Sequence, residues 1–144
     1  MTRLPTAADV RGILMADYNF IIPGQPVAKG RPRAAIHGHR IIAYTPGKTR
    51  QYERDAQIII KAAMAGRPPL EGPVSVAIDA WFKRPKRKLK SPHHTSKPDA
   101  DNVCKILFDS MNGIAFIDDS QVCQLVFNKM YGDNPRVHIT MVGL

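Results

Sequence analysis

The sequence predicts an α+β fold, a single domain in which two main helices pack on a mixed β-sheet of about four strands. Three observations lead to this prediction. Short β-rich runs with turn residues at their ends occur near the beginning, the middle and the end of the chain. Two segments between them carry apolar residues at helical spacing. The resulting order, strand, helix, strand, helix, strand, strand, is typical of helices packed on a mixed sheet.

The strands are predicted from runs of β-branched and aromatic residues. The predicted strands cover residues 18–22, a short run at 39–44, and then 74–82, 120–130 and 135–142. Residues 131–134 between the last two suggest a hairpin. Residues 25–38, rich in Gly, Pro and cations, are predicted to form a basic loop, as are residues 83–96.

The helices have clear start and stop signals. Thr45 and Pro46 suit the N-cap and first position of a helix that continues over residues 48–65 and stops at Gly66. The second helix begins at Pro98 or Asp99 and ends at residues 112–113, an Asn-Gly pair. Residues 1–16 show only a weak pattern, so they are predicted to be a loosely attached arm, with the domain at 17–144.

The composition restricts the class of partner. The formal net charge is +9 and the pI is about 9.9, which favours a polyanion, first nucleic acid and second an anionic membrane surface. No apolar run approaches the roughly 20 residues of a membrane span, and the N-terminus lacks a secretory pattern, so a cytoplasmic protein is expected. Cys104 and Cys123 are too few for a zinc motif and are predicted to be reduced thiols.

A cluster of acidic residues stands out against this basic background. Five of the twelve carboxylates fall within residues 99–119. Seven Lys and Arg residues, and no carboxylate, lie between Asp79 and Asp99. Clustered carboxylates repel one another unless a cation neutralises them, so a metal site in a phosphate-binding surface is expected.

On a helical wheel, Asp101, Lys105 and Asp109 form one polar stripe on an otherwise apolar helix. Taken singly, Asp99 need be only a helix cap, and Asp101 need only pair with Lys105. The set argues for more, because Asp118 and Asp119 follow in a turn that can return toward the start of the helix.

Oxygen ligands without neighbouring Cys or His indicate Mg²⁺ or Mn²⁺. An EF-hand fails at Val103 and Cys104, where the calcium loop needs an oxygen ligand and a Gly, and the sequence has no phosphate loop of the P-loop type. Asp99, Asp101 and Asp119 can hold a metal that activates a water, and Lys105 can steady the charge on the phosphate.

Three stretches, 97–105 (KPDADNVCK), 109–113 (DSMNG) and 118–122 (DDSQV), resemble the RusA family of Holliday-junction resolvases. Residues 22–33 (IPGQPVAKGRPR) and 44–50 (YTPGKTR) are similar to its phage-borne members. The resemblance covers about residues 18–142. It implies a RusA-like fold and a homodimeric, Mg²⁺-dependent endonuclease, encoded by a bacterium or a prophage. Such an enzyme resolves four-way DNA junctions by paired symmetrical nicks in recombination and repair.

By motif position, the resemblance assigns the essential aspartates to Asp99, Asp101 and Asp119, and the essential lysine to Lys105. Asp118 is a further candidate metal ligand. The basic loops next to this site are predicted to contact DNA phosphates. Their candidate DNA-binding residues are Lys29, Arg31, Arg33, Lys83, Arg84, Lys86, Arg87, Lys88, Lys90 and Lys97.

Two other functions stay open from the residues. One is a module that binds branched DNA without cutting it, although the complete set of Asp and Lys residues argues against this. The other is a metal-dependent nuclease for flaps or simple duplexes, because junction preference depends on dimer geometry that the sequence does not reveal.

Overall fold

The computed structural model describes residues 18–30, 33–44, 47–86 and 90–144. The predicted arm at 1–16 and the Thr45-Pro46 cap lie outside these ranges. The elements, in chain order, are β1 (Tyr18–Pro23), β2 (Arg33–His37), β3 (Arg40–Tyr44), α1 (Gly47–Met64), β4 (Val74–Lys83), α2 (Ala100–Met111), a 3₁₀ turn (Asp119–Gln121), β5 (Val122–Gly132) and β6 (Arg136–Gly143). The predicted α+β class, with two main helices and a mixed four-stranded sheet, is confirmed.

The main sheet has the strand order β1-β6-β4-β5. β4 runs parallel to β5 and antiparallel to β6, and β1 pairs antiparallel with β6. The predicted hairpin between the last two strands is therefore wrong, because β5 and β6 lie on opposite sides of β4. The burial of β4 explains this arrangement: almost the whole strand is buried, which suits the centre of a sheet, whereas most of β5 is only partly buried, which suits an edge.

Residues 33–37, predicted as part of a loop, instead form β2, which pairs with β3 in a separate two-stranded sheet. The strands turn at Gly38 and His39, and Gly38 has a φ of +63°, a backbone conformation that glycine adopts without strain. The loop prediction failed because this strand has few large apolar residues and follows a run of Gly, Pro and cations.

The core lies between the main sheet and the two helices. The alternating apolar residues of β4 from Val74 to Phe82 are buried, and the register places Ile78 beside Ile139 of β6, which in turn pairs with Phe20 of β1. Ile60 of α1 and Ile106 of α2 are fully buried in the same cluster. This packing fixes α2 and turns its polar stripe away from the core. None of the described helices is long and apolar enough to cross a membrane.

Candidate active site

The site is built around the N-terminal end of α2. Asp99 is the N-cap residue, and its side chain makes no capping hydrogen bond. Asp101 is exposed in the first helical turn. Both carboxylates therefore lie where the unpaired N–H groups and the helix dipole favour negative charge. Because Asp99 does not cap the helix with its side chain, its oxygens remain available for a cation.

The segment before α2 is held firmly along β5. The His94 N–H donates to Lys129 O at 3.1 Å, and the Tyr131 N–H donates to Pro92 O at 2.9 Å. The His94 ring stacks on Phe82 with centroids 3.9 Å apart, and Lys129 Nζ donates to Ser96 O at 2.8 Å. These contacts fix the direction in which the chain enters the site.

Residues 90–96 form no helix or strand, as the prediction of a basic loop requires, but His94 within them is buried. Burial and the nearby Lys129 ammonium lower the pKa of His94, so its ring is neutral and packs like an aromatic side chain. The many Lys, Pro and His residues of this segment hid the anchor from the sequence.

Asp118 and Asp119 have different surroundings. The Asp118 carboxylate accepts a hydrogen bond from the Ser120 N–H at 3.1 Å, and Gln121 Oε1 accepts from the Asp118 N–H at 2.9 Å, forming a capping box. The hydrogen bond from Ser120 lowers the pKa of Asp118. Asp119 instead faces α2, with Oδ2 3.9 Å from Lys105 Nζ. The structure thus engages Asp118 in its own turn and directs Asp119 toward the site.

Gln121 also attaches this turn to the chain ahead of β4, since its Nε2 donates to Leu70 O at 2.9 Å and to Gly72 O at 2.8 Å. We expect Gln121→Ala to lower the free energy of unfolding by about 1–2 kcal/mol, because it removes these hydrogen bonds together with half of the capping box. Urea denaturation measures this loss. The exposed Gln124 on β5 provides the control, and an equal loss in Gln124→Ala would contradict the role given to Gln121.

Five charged side chains form a chain of alternating sign across the site. Lys29 pairs with Glu53 of α1 and, at 3.1 Å, with Asp109 Oδ2. Lys105 Nζ lies 3.1 Å from Asp109 Oδ1 and reaches on toward Asp119. Asp109 is therefore shared by two ammonium groups. Lys105 is paired with Asp109 and Asp119, rather than with Asp101 as the simpler interpretation of the helix had it.

Both lysines keep their charge at neutral pH. The hydrogen bond to Asp109 is the main cause that raises the pKa of Lys105. Burial acts to lower the pKa of Lys29, but the hydrogen bonds with Glu53 and Asp109 outweigh it, and the net direction is upward. The Lys105 side chain is 56% exposed and that of Asp109 21%. A phosphate can reach the Lys105 ammonium, while Asp109 holds it from the protein side.

Glu53 and Asp109 are the site residues that sequence reasoning did not assign a role. Asp109 was visible on the polar stripe of α2, four residues after Lys105, but its contact with Lys29 was not. Glu53 lies 24 residues from Lys29, and no local spacing links them. Only the packing of α1 against α2 brings these charges together.

The glycine- and proline-rich loop before β2 is held against both helices. The Lys29 N–H donates to Asn102 O at 3.0 Å, and the Gly30 N–H donates to Thr49 Oγ1 at 3.3 Å. Nearer its start, Gln25 Oε1 accepts from the Lys83 N–H at 2.9 Å. Lys29, a predicted phosphate contact, thus lies inside the ion-pair chain, and its contact with DNA remains a prediction.

The other predicted DNA-binding residues are distributed around this site or outside the described ranges. Five of them are exposed to solvent: Lys83, Arg84, Lys86, Lys90 and Lys97. Arg84 also lies over the Tyr131 ring, 5.8 Å from its centroid. Arg31, Arg87 and Lys88, and the side chain of Arg33, lie outside what the structure describes.

A cavity of about 320 Å³ lies beside the polar stripe, between α2 and β5, lined by Cys104, Phe108, Leu125 and Phe127 with Asp101 and Lys105 at its edge. Burial, followed by the charges of Asp119 and Asp101, raises the pKa of Cys104 to about 11. The thiol is therefore neutral and a poor nucleophile. Both cysteines are free, as predicted.

Asp101 and Asp119 both lie near enough to Cys104 for their charges to raise its pKa. Their oxygens, with those of Asp99, are the hard donors that Mg²⁺ prefers. Across the described ranges, however, no three His, Cys, Asp or Glu side chains converge closely enough to hold a metal ion. The donor chemistry fits the predicted ion, whereas a three-ligand geometry is not formed.

The fold, the carboxylates at the α2 N-terminus and the lysine held beside them fit a hydrolytic nuclease that acts on DNA. A family model described as Endodeoxyribonuclease RusA matches residues 23–142. The chain belongs to this family, whose members bind branched DNA and act on Holliday junctions. The chain is also similar to the "Uncharacterized protein YqaN" of Bacillus subtilis (strain 168), with 33% identity over 133 residues, 83% of this chain and 92% of that protein.

Proposed function

We propose that this protein is a Mg²⁺-dependent resolvase that cuts four-way DNA junctions by paired symmetrical nicks during recombination and repair. We place it in the cytoplasm, as the product of a bacterial or prophage gene. The observation that carries the proposal is the position of Lys105. Asp109 holds its ammonium group 3.9 Å from Asp119, at a helix whose first turn carries Asp101.

In this proposal Asp99, Asp101 and Asp119, with Asp118 as a further candidate, would hold Mg²⁺, for which Mn²⁺ is a chemically similar substitute. When bound, the ion would neutralise charge on the phosphate oxygens and make a bound water more acidic. The family membership and the oxygen-only donor set support this assignment. Ion binding has to draw the carboxylates together, because they do not converge in the described structure.

The protein's own groups then orient and stabilise the phosphate. The N–H groups at the start of α2 favour an anion there. Lys105 keeps its proton at neutral pH and can contact the negative charge that develops on the phosphate. Asp109 orients Lys105 through their salt bridge. Lys29, which also pairs with Glu53, forms a second salt bridge to Asp109 and so orients its carboxylate. A water molecule bound near Asp101 and Asp119 would attack from the side opposite the leaving oxygen.

A substrate panel tests the proposal against the two alternatives. Labelled four-way junctions, flaps and linear duplexes of matched arm sequence are incubated with Mg²⁺ or with EDTA. We expect Mg²⁺-dependent cutting of junctions and at most slow cutting of the others. Junction binding without any cutting would favour the non-cutting module, and faster cutting of flaps or duplexes would favour the third function.

DNA affinity should fall steeply with salt. With about six phosphate contacts per protein unit, the slope of log K against log salt should be about −5. Replacing Lys86, Arg87, Lys88 and Lys90 with Ala should flatten this slope by removing contacts from one loop. Gel-shift titration over a salt series measures it, with Lys61→Ala near the end of α1 as control. An unchanged slope in the fourfold variant would mean that these cations are only solvated.

The active unit is proposed to be a homodimer. Resolution needs two nicks in strands related by two-fold symmetry, and one chain contains one set of Asp99, Asp101 and Asp119. A two-fold pair matches the symmetry of the junction. Sedimentation at micromolar concentration, with and without junction DNA, should show two chains per junction. A monomer on the junction that still makes paired nicks would contradict the proposal.

A further inference from the structure

The β2–β3 hairpin carries an apolar pair that no core explains. Ile36 and Ile41 face each other directly across the two strands, next to the turn at Gly38 and His39. They are 79% and 75% exposed, the two most exposed large hydrophobic residues in the described part of the chain. As a cross-strand pair they support the pairing of the two strands, but both side chains stay largely exposed instead of being buried in the core.

The surroundings of this pair are cationic. His37, His39 and Arg40 are exposed at the turn, and residues 18–52 contain no Asp or Glu. A negatively charged partner complements such a surface. A second copy of this chain does so less well, because a two-fold contact through the hairpin tip would bring the Arg40 guanidinium groups of both copies into the same contact.

The hairpin leaves the body of the protein at the active site. The N–H of Lys29, just before the hairpin, donates a hydrogen bond to Asn102 O in the first turn of α2. The N–H of Gly30 donates a hydrogen bond to Thr49 Oγ1 in α1, the helix that follows the hairpin in the chain. Since a chain spans at most about 3.5 Å per residue, Ile36 lies within about 21 Å of Gly30. This distance corresponds to about six base-pair steps of a duplex, so the tip reaches bases close to a phosphate held at α2.

We propose that the β2–β3 hairpin is a wedge that inserts Ile36 and Ile41 into the base stack at the branch point of the junction, while His37, His39 and Arg40 contact the flanking phosphates. This inference rests on the proposed function. Apolar side chains, Ile among them, are known to enter base steps and partly unstack them. At a branch point the continuous stack is already interrupted, so insertion costs less there than within a duplex. The wedge thereby gives the enzyme a means to prefer junctions over linear DNA.

The test compares the double variant Ile36→Ser/Ile41→Ser with the matched control Ile21→Ser/Leu144→Ser, which removes two exposed apolar side chains from β1 and the C-terminus. Each protein is titrated with a four-way junction and with a linear duplex in EDTA, where cutting does not interfere. Junctions with 2-aminopurine at the branch point, or in the middle of an arm, report local unstacking by a rise in fluorescence.

Wild-type protein and the control should raise the fluorescence at the branch point only. The hairpin variant should lose this rise, and its preference for junction over duplex should fall by about tenfold, with duplex affinity unchanged. A hairpin variant that keeps both the fluorescence rise and the junction preference would overturn the wedge.

Two further outcomes distinguish the wedge from a contact between two copies of the chain and from a failure of the proposed function. If the hairpin variant sediments as a monomer where wild type is a dimer, the hairpin is an interface between copies and the wedge is overturned. If wild type itself shows no junction preference, the proposed function fails and the wedge fails with it. If wild type prefers and cuts junctions and the hairpin variant behaves in the same way, the wedge is overturned while the proposed function stands.

Discussion

The Asp101→Asn variant is expected to bind four-way junctions normally and to lose cutting by more than about 100-fold. Asp101 is exposed in the first turn of α2 and takes no part in the core, so the change leaves the fold intact. An amide retains the shape of the side chain but not the charge that would hold the metal. Substitution of a residue that only supports a metal ligand lowers metal affinity or activity roughly 10–100-fold, and substitution of a direct ligand should lower it more.

Single-turnover cleavage and gel-shift affinity, measured in parallel, check this expectation. Asp133→Asn, in the exposed turn between β5 and β6, is the matched control and should stay within about twofold of wild type. Near-normal cutting by Asp101→Asn would show that Asp101 is not a metal ligand of the catalytic site.

The Lys105→Met variant is expected to lose about 10²–10³-fold in the rate of cutting, the loss typical of removing one group that stabilises transition-state charge. Methionine keeps most of the length of the side chain but cannot contact Asp109 or Asp119. Because half of the Lys105 side chain is exposed, stability should change little. Single-turnover rates at saturating protein separate this loss from weaker binding.

The charge of Lys105 also makes a prediction about pH. Its pKa is raised above the ordinary value of 10.5, so the ammonium is present below that value and is lost only as the pH rises through the raised pKa. Between pH 7 and pH 9 the ratio of wild-type to Lys105→Met rates should therefore be constant. Lys105→Arg, which keeps the charge, should recover part of the rate. An equal loss in the Arg and Met variants would indicate that Lys105 acts through packing rather than charge.

Much of the site could be predicted from the sequence because its parts are local. The spacing of Asp101, Lys105 and Asp109 on one helix fixes their common face. The cap position of Asp99 follows from the helix start signal. The contrast between the acidic cluster and the basic segments before it predicts a phosphate-binding surface, and this stays a prediction.

The parts that could not be predicted depend on contacts between distant segments. The position of β4 between β5 and β6 follows from burial on both sides of that strand, which the turn-forming sequence at residues 131–134 does not reveal. The salt bridges of Lys29 require α1 and α2 to pack together. His94 was hidden because its residue type suggested an exposed loop, while its ring stacks on Phe82 in the core.

The proposed function requires that one carboxylate–lysine site per chain cuts a four-way junction with the help of Mg²⁺. The most direct measurement maps the nicks of wild-type protein on a junction labelled separately in each of its four strands, with Mg²⁺ and with EDTA. We expect nicks at symmetrical positions in one pair of opposite strands with Mg²⁺, and intact strands in EDTA. Cutting that continues in EDTA, or nicks scattered over all four strands without symmetry, would contradict it.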